Sequence, residues 1–368
     1  MQAQDEKYML TALRLAQKGI GSVEPNPAVG CVIVKDTQII GKGWHKRFGE
    51  AHAEINALEN CRQNGYDPKG SVMYVTLEPC CHFGKTPPCT DAIIKAGVKK
   101  IVVAMTDPFE KVSGNGIKTL LNAGIEVSTD ICREQAEFLN APFIKFAAAK
   151  KTWVILKWAQ SIDGCLAWSN QSARRWISNE KSRRDSHKLR RRTQAILVGI
   201  NTVLADDPLL TSRPAKGKKL LRVVLDSNLR IPFDSKLVKT AKMYDLLIVT
   251  ANQSIEASLQ KAAVLQKAGV QLLPVPFVDG KCDLDYLLSA LAARDIQQLL
   301  VEGGAETITS FLEKNLADEI CLYIAPIILG SNGNIPITKP MARIANPIHL
   351  KNVEITNLSG DIKITGRL

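Results

Sequence analysis

The sequence predicts an α/β protein with two domains, and three observations lead to this expectation. The chain has 368 residues, 45% of them hydrophobic, which is longer than a typical single domain of roughly 150 residues. In the first 145 residues, short apolar runs typical of buried strands alternate with helical patterns. The alternation then restarts, which places a boundary near residues 148–151 and predicts domains at 1–148 and 149–368.

The predicted elements follow in chain order. The first domain has strand-like runs at AVGCVIV, SVMYVTL and KKIVVAM, separated by helical patterns such as HAEINALENCRQNG and PPCTDAIIKAGV. The second domain continues with the runs WVILKWAQSIDG, QAILVGINTVLADD, LLRVVLDS, YDLLIVTA, IQQLLVEGG and EICLYIAPIILG. The final segment, IHLKNVEITNLSGDIKITGRL, alternates as two strands around a Ser-Gly turn.

Composition narrows the class of protein. No apolar run approaches the roughly 20 residues of a membrane span, and the N-terminal amphipathic helix lacks a signal-peptide core, so we expect a soluble cytosolic protein. Nine cysteines without a secretion signal indicate reduced thiols, some of them metal ligands. The net charge of +12 suits anionic partners, either nucleic acid or phosphorylated small molecules.

One histidine and two cysteines form a candidate zinc site. His52 offers an imidazole, Cys80 and Cys89 offer thiolates, and three protein ligands leave the open fourth position of a catalytic zinc. Zinc lowers the pKa of its bound water, and Glu54, two residues after His52, can shuttle the proton. This H-x-E pattern with a Pro-Cys pair is the signature of zinc-dependent nucleobase deaminases, although here the two cysteines are separated by eight residues. Cys81 is expected to be a small buried residue.

Two simpler interpretations compete with a catalytic zinc. An isolated His-x-Glu is usually an ordinary helix surface, and three cysteines within ten residues could form a structural zinc site. A structural site normally uses four protein ligands, and His82 is the one spare candidate here.

Four segments together resemble the family of bifunctional riboflavin-biosynthesis deaminase/reductases, RibD: EPNPAVGCVIV, GWHKRFGEAHAE, TLEPCCHFGKTPPCTDAII and ADDPLLTSR. The resemblance covers nearly the whole chain. It implies a cytidine-deaminase-like α/β/α domain followed by a dihydrofolate-reductase-like α/β domain. It also implies the substrate 2,5-diamino-6-(5-phosphoribosylamino)pyrimidin-4(3H)-one, which the first domain deaminates before the second reduces the ribosyl group to ribityl with NADPH.

The resemblance also implies contacts in the deaminase site. The residues that would contact the pyrimidine or its phosphate are Asn26, His45, His82, Lys85 and Asp107. Asn26 could equally be a turn residue, and Lys85 a solvated charge. The segment TDPFEKV departs from the family pattern, because Phe109 stands where an asparagine is expected.

For the reductase, the resemblance implies two groups of residues. The substrate would be bound by Arg190, Leu210, Arg213 and Glu302, with the two arginines on the phosphate and Arg213 following a strand-like segment. The cofactor would be bound by Ala159, Trp176, Thr202, Asp206 and Ser227, and by the turn and helix start Gly304, Ala305, Glu306, Thr307, Ile308, Thr309 and Ser310. Either Ser172 or Arg174 could fill the family position before Trp176, and no catalytic acid is assigned in this domain.

Two other functions remain in view. One is a zinc deaminase acting on RNA through a basic second domain, because RRWISNEKSRRDSHKLRRR is rich in arginine. The other is a zinc-stapled interaction protein without chemistry. Glu180 and Asp185 interrupt the basic run and aromatic residues are 5% of the chain, which favours a solvated helix face over an RNA surface. Neither of these two alternative functions predicts NADPH binding. A homo-oligomer is possible as well.

Overall fold

The structure is a computed structural model that describes residues 2–83, 87–109, 113–169, 176–213, 220–278 and 280–368. The chain divides into two compact units, Met1–Lys150 and Lys151–Leu368. Each unit is an α/β structure with its own sheet. No helix among the described residues is both long enough and apolar enough to cross a bilayer.

The first unit is built on a five-stranded sheet in the order β2-β1-β3-β4-β5. Its strands are β1 Gly30–Lys35, β2 Gln38–Trp44, β3 Val72–Val75, β4 Lys100–Val103 and β5 Glu126–Ser128. Its helices are α1 Gln2–Ala16, α2 Ala53–Gln63, α3 Cys89–Lys95, α4 Asn115–Asn122 and α5 Arg133–Ala149. β1 runs antiparallel to β2 and β3, whereas β3, β4 and β5 are parallel. The carboxyl ends of β3 and β4 therefore lie at one edge of the sheet.

Glycines in β1 and β2 let two helices approach opposite faces of this sheet. A Cβ on Gly30 would lie 2.0 Å from the carbonyl oxygen of Ala12 in α1. A Cβ on Gly43 would lie 2.3 Å from the carbonyl oxygen of Ala53 in α2. Gly43 pairs with the residue that follows Gly30, so the two glycines face opposite sides of the sheet. This arrangement gives the predicted α/β/α layers.

The second unit has a nine-stranded sheet in the order β11-β10-β9-β8-β14-β6-β15-β18-β17. The strands of the unit are β6 Trp153–Gln160, β7 Cys165–Trp168, β8 Ala195–Gly199, β9 Leu221–Leu225, β10 Leu246–Ala251, β11 Val270–Val275, β12 Phe277–Val278, β13 Lys281–Cys282, β14 Gln298–Val301, β15 Glu319–Ile324, β16 Gly333–Pro336, β17 Lys351–Leu358 and β18 Asp361–Arg367. Four of them lie outside the large sheet, because β12 pairs with β13 and β7 pairs with β16 in two small sheets. Its helices are α6 Glu180–Arg192, α7 Ile200–Asp206, α8 Lys236–Lys239, α9 Asn252–Glu256, α10 Leu259–Lys267, α11 Leu284–Ala292, α12 Ala305–Glu313 and α13 Thr338–Met341. The seven strands from β11 to β15 in this order are parallel to one another, and β18 runs antiparallel to both of its neighbours, β15 and β17.

The structure corrects one detail of the predicted elements and bears out another. Arg213 follows irregular backbone rather than the predicted strand-like segment, whereas the run QAILVGINTVLADD forms β8 and α7. Leu210 has a positive φ of 55°, a conformation that breaks an extended run of L-residues. The C-terminal hairpin turns at Ser359-Gly360, both with positive φ as a type I′ turn requires.

Candidate active sites

The three proposed zinc ligands come from three elements of the first unit. His52 immediately precedes α2, Cys80 follows the carboxyl end of β3, and Cys89 is the first residue of α3. The backbone N–H of Cys89 lies 3.4 Å from Cys80 Sγ, and the N–H of Thr90 donates to the Cys80 carbonyl at 3.2 Å. These contacts hold Cys80 against the start of α3, although eight residues separate the two cysteines.

The donor atoms fit a tetrahedral metal site. His52 Nδ1 lies 3.5 Å from Cys80 Sγ and 3.3 Å from Cys89 Sγ. Zinc bonded to nitrogen at about 2.0 Å and to sulfur at about 2.3 Å would set these atoms about 3.5 Å apart. Within the described part of the chain, this is the one group of three or more such side chains whose donor atoms come together. His82 is outside it, so the four-ligand structural alternative finds no support.

The charges around the donor atoms suit a cation. The hydrogen bond from Cys89, with help from His52, lowers the pKa of the Cys80 thiol to about 4. The pKa of Cys89 is raised in turn by the Cys80 thiolate and by burial. Burial and the nearby Cys80 thiolate raise the pKa of Glu54 to about 7. Glu54 is only 3% exposed, so its proton exchange is confined to groups inside this site.

Asn26 and His45 form a hydrogen-bonded pair beside the donor cluster. His45 Nδ1 lies 3.1 Å from the Ala51 carbonyl, which can only accept, so Nδ1 carries the proton. His45 Nε2 then accepts from Asn26 Nδ2 at 3.2 Å. Burial lowers the pKa of His45, which keeps the ring neutral. The pair therefore leaves the amide oxygen of Asn26 available to a ligand.

Glu78 is a buried carboxylate of the cavity wall that the sequence did not reveal as part of the site. Its buried carboxylate accepts four backbone N–H bonds, from Asp107 at 3.2 Å, Gly114 at 2.9 Å, Gly116 at 2.9 Å and Ile117 at 3.2 Å. These bonds fix Asp107 at the end of β4, where burial and the nearby Glu78 raise the pKa of Asp107 to about 6. The one sequence signal was a glutamate directly before Pro79-Cys80.

A cavity of about 380 Å³ brings most of the predicted deaminase residues together. Its lining includes Asn26, His45, His52, Glu54, Cys80, His82, Asp107 and Phe109. His82 is exposed on its rim, and Lys85 lies outside the described residues. Cys81 was predicted to be buried, but it is half-buried, and the two residues that follow it are exposed.

The second unit has an open cavity of about 2290 Å³ at the carboxyl ends of its parallel strands. Ala159 near the end of β6, Ser227 after β9 and Glu302 after β14 all line it. Ligands of open α/β sheets usually bind at this edge, where loops leave a crevice. The cavity therefore collects residues from distant parts of the sequence.

Glu302 lies at the centre of a charged cluster in this cavity. Arg190 Nε and Nη2 donate to its two carboxylate oxygens at 2.7 and 2.9 Å, and Lys157 Nζ lies 3.6 Å away. Burial alone would raise the pKa of Glu302, but the two cations outweigh it and lower the pKa to about 2. Lys157 was missed by the sequence reasoning, although a lysine inside the apolar run WVILKWAQ was a visible signal.

The glycine turn before α12 forms another wall of the cavity. A Cβ on Gly303 would lie 2.5 Å from Thr307 Cβ, so this position has room only for glycine. Gly304 caps α12 without a side chain, which leaves the first N–H groups of the helix available to a phosphate. The cavity is lined by Gly304, Ala305, Glu306, Thr307 and Ser310, whereas the side chains of Ile308 and Thr309 are fully buried.

The remaining predicted reductase residues also line this cavity: Trp176, Thr202, Asp206, Leu210 and Arg213. Trp176 is 59% exposed, and its carbonyl accepts a hydrogen bond from Trp168 at 3.1 Å. The backbone carbonyl of Arg213 accepts a hydrogen bond from Arg191 at 2.7 Å, and the Arg213 guanidinium takes no part in this bond. Ser172 and Arg174 lie outside the described residues.

Comparisons with known proteins agree along the whole chain. Residues 2–105 match the cytidine and deoxycytidylate deaminase zinc-binding region, and residues 152–364 match the RibD C-terminal domain. The riboflavin biosynthesis protein RibD of Aquifex aeolicus is 41% identical over 98% of this chain and 97% of its own. The solved deaminase/reductase of Thermotoga maritima has a TM-score of 0.85 at 34% identity, covering 100% of this chain and 99% of its own. RibD of Acinetobacter baumannii has a TM-score of 0.84, also at 34% identity, with both chains fully covered.

Proposed function

The chain belongs to the RibD family of riboflavin-biosynthesis enzymes, and from this premise we propose how its two cavities divide the two reactions. The protein is a bifunctional deaminase and reductase with zinc and NADPH as cofactors. It deaminates 2,5-diamino-6-(5-phosphoribosylamino)pyrimidin-4(3H)-one and then reduces the ribosyl group of 5-amino-6-(5-phosphoribosylamino)uracil to ribityl. We assign the first step to residues 1–148 and the second to residues 149–368.

In the deaminase site, His52, Cys80 and Cys89 hold zinc, and Glu54 moves the proton. Zinc supplies Lewis acidity that makes a water nucleophilic near neutral pH. The Glu54 carboxylate takes a proton from the attacking water and delivers it to the departing amino group, which leaves as ammonia. The Asn26 amide and the neutral His45 orient the pyrimidine ring, and Asp107 accepts a hydrogen bond from it. The buried position of Glu54 supports this role.

In the reductase site, the residues bind and orient the substrate and the cofactor, and one of them donates a proton. NADPH supplies the hydride. Opening the ribosyl ring to ribityl also requires one proton at the ring oxygen, and the Lys157 ammonium beside Glu302 is a cation that can donate it. Arg213 binds the substrate phosphate, while Arg190 acts chiefly through its bidentate pair with Glu302. The α12 turn from Gly304 binds cofactor phosphate.

The proposal also covers the cellular compartment, nucleic-acid binding and the oligomeric state. We place the protein in the cytoplasm, because its nine cysteines are free thiols, as is usual in a reducing compartment. No nucleic-acid partner is proposed, since Arg184, Arg190 and Arg192 of the basic helix α6 are engaged in ion pairs. A homo-oligomer is supported by the exposed edge strand β17, on which Ile355 is 70% exposed.

The observation that carries the proposal is the His52, Cys80 and Cys89 cluster with Glu54 buried in the same cavity. Its test is Glu54→Gln, which keeps the shape of the side chain but cannot take the proton. We expect ammonia release to fall by roughly 100- to 10,000-fold. NADPH oxidation with the aminouracil substrate should stay at the wild-type rate, because the residues of that cavity all lie in the second unit.

Glu59→Gln, an exposed carboxylate on the same helix, is the matched control and should leave both half-reactions unchanged. Loss of both activities in a folded, zinc-loaded Glu54→Gln protein would refute the division into two sites. Full ammonia release would remove Glu54 from the mechanism.

A further inference from the structure

A lysine that no comparison assigns stands on the wall of the deaminase cavity. Lys150 follows the end of α5, with a left-handed φ of 52° and its N–H bonded to the Phe146 carbonyl at 3.1 Å. Its ammonium lies 5.3 Å from the ring centroid of Phe109 and 5.9 Å from that of Phe146. Two aromatic faces therefore hold the charge beside the cavity that contains Asn26 and Glu54.

The ammonium group of Lys150 is not paired with any of the described carboxylates of this cavity. Among the described lining residues it is the single lysine or arginine, and no described carboxylate forms a salt bridge with it. Four carboxylates line the cavity: Glu78 accepts backbone hydrogen bonds, Glu54 faces the donor cluster, Asp107 accepts the Phe109 N–H at 2.8 Å, and Glu50 is exposed to solvent. An ammonium group held in place without an anionic partner is available to an anionic ligand.

The chemistry of the substrate identifies that anion. Its pyrimidine ring must reach Glu54 and the zinc ligands, so its phosphoribosylamino group extends from there along the cavity wall. A phosphate carries nearly two negative charges near neutral pH and pairs well with a lysine ammonium. Phe109, which stands where the family pattern has an asparagine, supplies one of the two aromatic contacts to Lys150.

Resting on the proposed deaminase function, we propose that Lys150, held over Phe109 and Phe146, binds the 5-phosphate of the substrate in the deaminase site. The test compares two substrates in the full-length, zinc-loaded protein: the phosphorylated diaminopyrimidine and its dephosphorylated ribosylamino form. Lys150→Ala should raise the deaminase KM about fivefold for the phosphorylated substrate, a factor suited to an exposed charge pair. The KM for the dephosphorylated substrate should not change.

Three further variants sharpen the comparison. Lys150→Arg keeps the charge and should retain most of the affinity. Lys118→Ala removes an exposed lysine of the same unit that is outside the cavity lining, and it should leave both KM values unchanged. Phe109→Leu removes one aromatic contact while keeping Lys150, so it should raise the KM selectively for the phosphorylated substrate by a smaller factor. Zinc content and reductase activity of each variant report on folding.

Equal KM increases for both substrates, or no increase in Lys150→Ala, would overturn the proposal. If Lys150→Ala lost its zinc, Phe109→Leu would decide the question by the same comparison of substrates. Failure of the proposed function is a separate outcome, because the wild-type protein would then release no ammonia from either substrate. A wild-type protein that is active, with variants that do not discriminate the phosphate, refutes only the role of Lys150.

Discussion

Arg190 and Glu302 form a bidentate ion pair across 112 residues of sequence, with N–O distances of 2.7 and 2.9 Å. Their side chains are 17% and 11% exposed, so water screens the pair only in part. The third nitrogen, Arg190 Nη1, donates to the Thr211 carbonyl at 2.8 Å. The pair thereby ties the carboxyl end of β14 to α6 and to the segment that carries Arg213.

The first prediction concerns a substitution that removes the negative charge of this pair. Glu302→Gln leaves Arg190 and Lys157 close together without a carboxylate, which should cost about 2 kcal/mol of folding stability for a partly buried pair. We expect a lower unfolding temperature and a large loss of reductase kcat/KM, with ammonia release unchanged. Glu180→Gln, which breaks the exposed pair with Arg184, is the control and should cost little.

The same pair predicts a pH dependence. The pKa of Glu302 falls from about 4.5 unfolded to about 2 folded, so its stabilisation is complete above the unfolded value and is lost as pH falls toward 2. The free energy of unfolding of the wild-type protein should therefore decrease more steeply in this range than that of Glu302→Gln. Parallel pH profiles for the two proteins would contradict the assigned pair.

The second prediction concerns the metal ligands. Cys89→Ser removes one of three donors, and zinc analysis of the purified variant should find the metal greatly reduced and ammonia release lost. Cys81→Ser should keep about one zinc per chain, because Cys81 is outside the cluster of donor atoms. Full zinc occupancy in Cys89→Ser would show that the ligand set is wrong.

The third prediction concerns the buried carboxylate that holds Asp107. Glu78→Gln replaces one acceptor oxygen by a donor that faces backbone N–H groups, at a cost of about 1–3 kcal/mol. We expect a raised deaminase KM through the displaced Asp107, with zinc content and reductase activity retained. Glu78→Asp keeps the charge and should recover part of the KM. An unchanged KM in Glu78→Gln would show that these hydrogen bonds do not position Asp107.

Local chemistry made the zinc site predictable. His52 and Glu54 lie two residues apart, and Pro79-Cys80 carries its own signature, so candidate ligands could be proposed before the fold was known. The α/β character of both units and the C-terminal hairpin were also visible, because they depend on short-range periodicity and a Ser-Gly turn. The assigned roles of the individual substrate residues stay predictions.

Contacts between residues that are far apart in the sequence could not be predicted from it. Nothing near Arg190 indicates that its guanidinium would pair with Glu302, since only the parallel order of β8, β14 and β6 brings them together. The segment before Arg213 looked like a strand because it is apolar, but the left-handed backbone at Leu210 breaks that run. Glu78 likewise gave no sign that it would bond four N–H groups up to 39 residues away.

Because Gly43 has no side chain, β2 approaches α2 closely, next to the proposed zinc ligand His52. Because a Cβ there would collide with the backbone of α2 at Ala53 and Ala57, helix and strand are separated by a fixed distance. His52 is the residue directly before that helix, so a shift of α2 also displaces the imidazole of this proposed zinc ligand. We therefore expect Gly43→Ala to weaken zinc binding, although Gly43 lies in β2 and is not itself one of the proposed ligands.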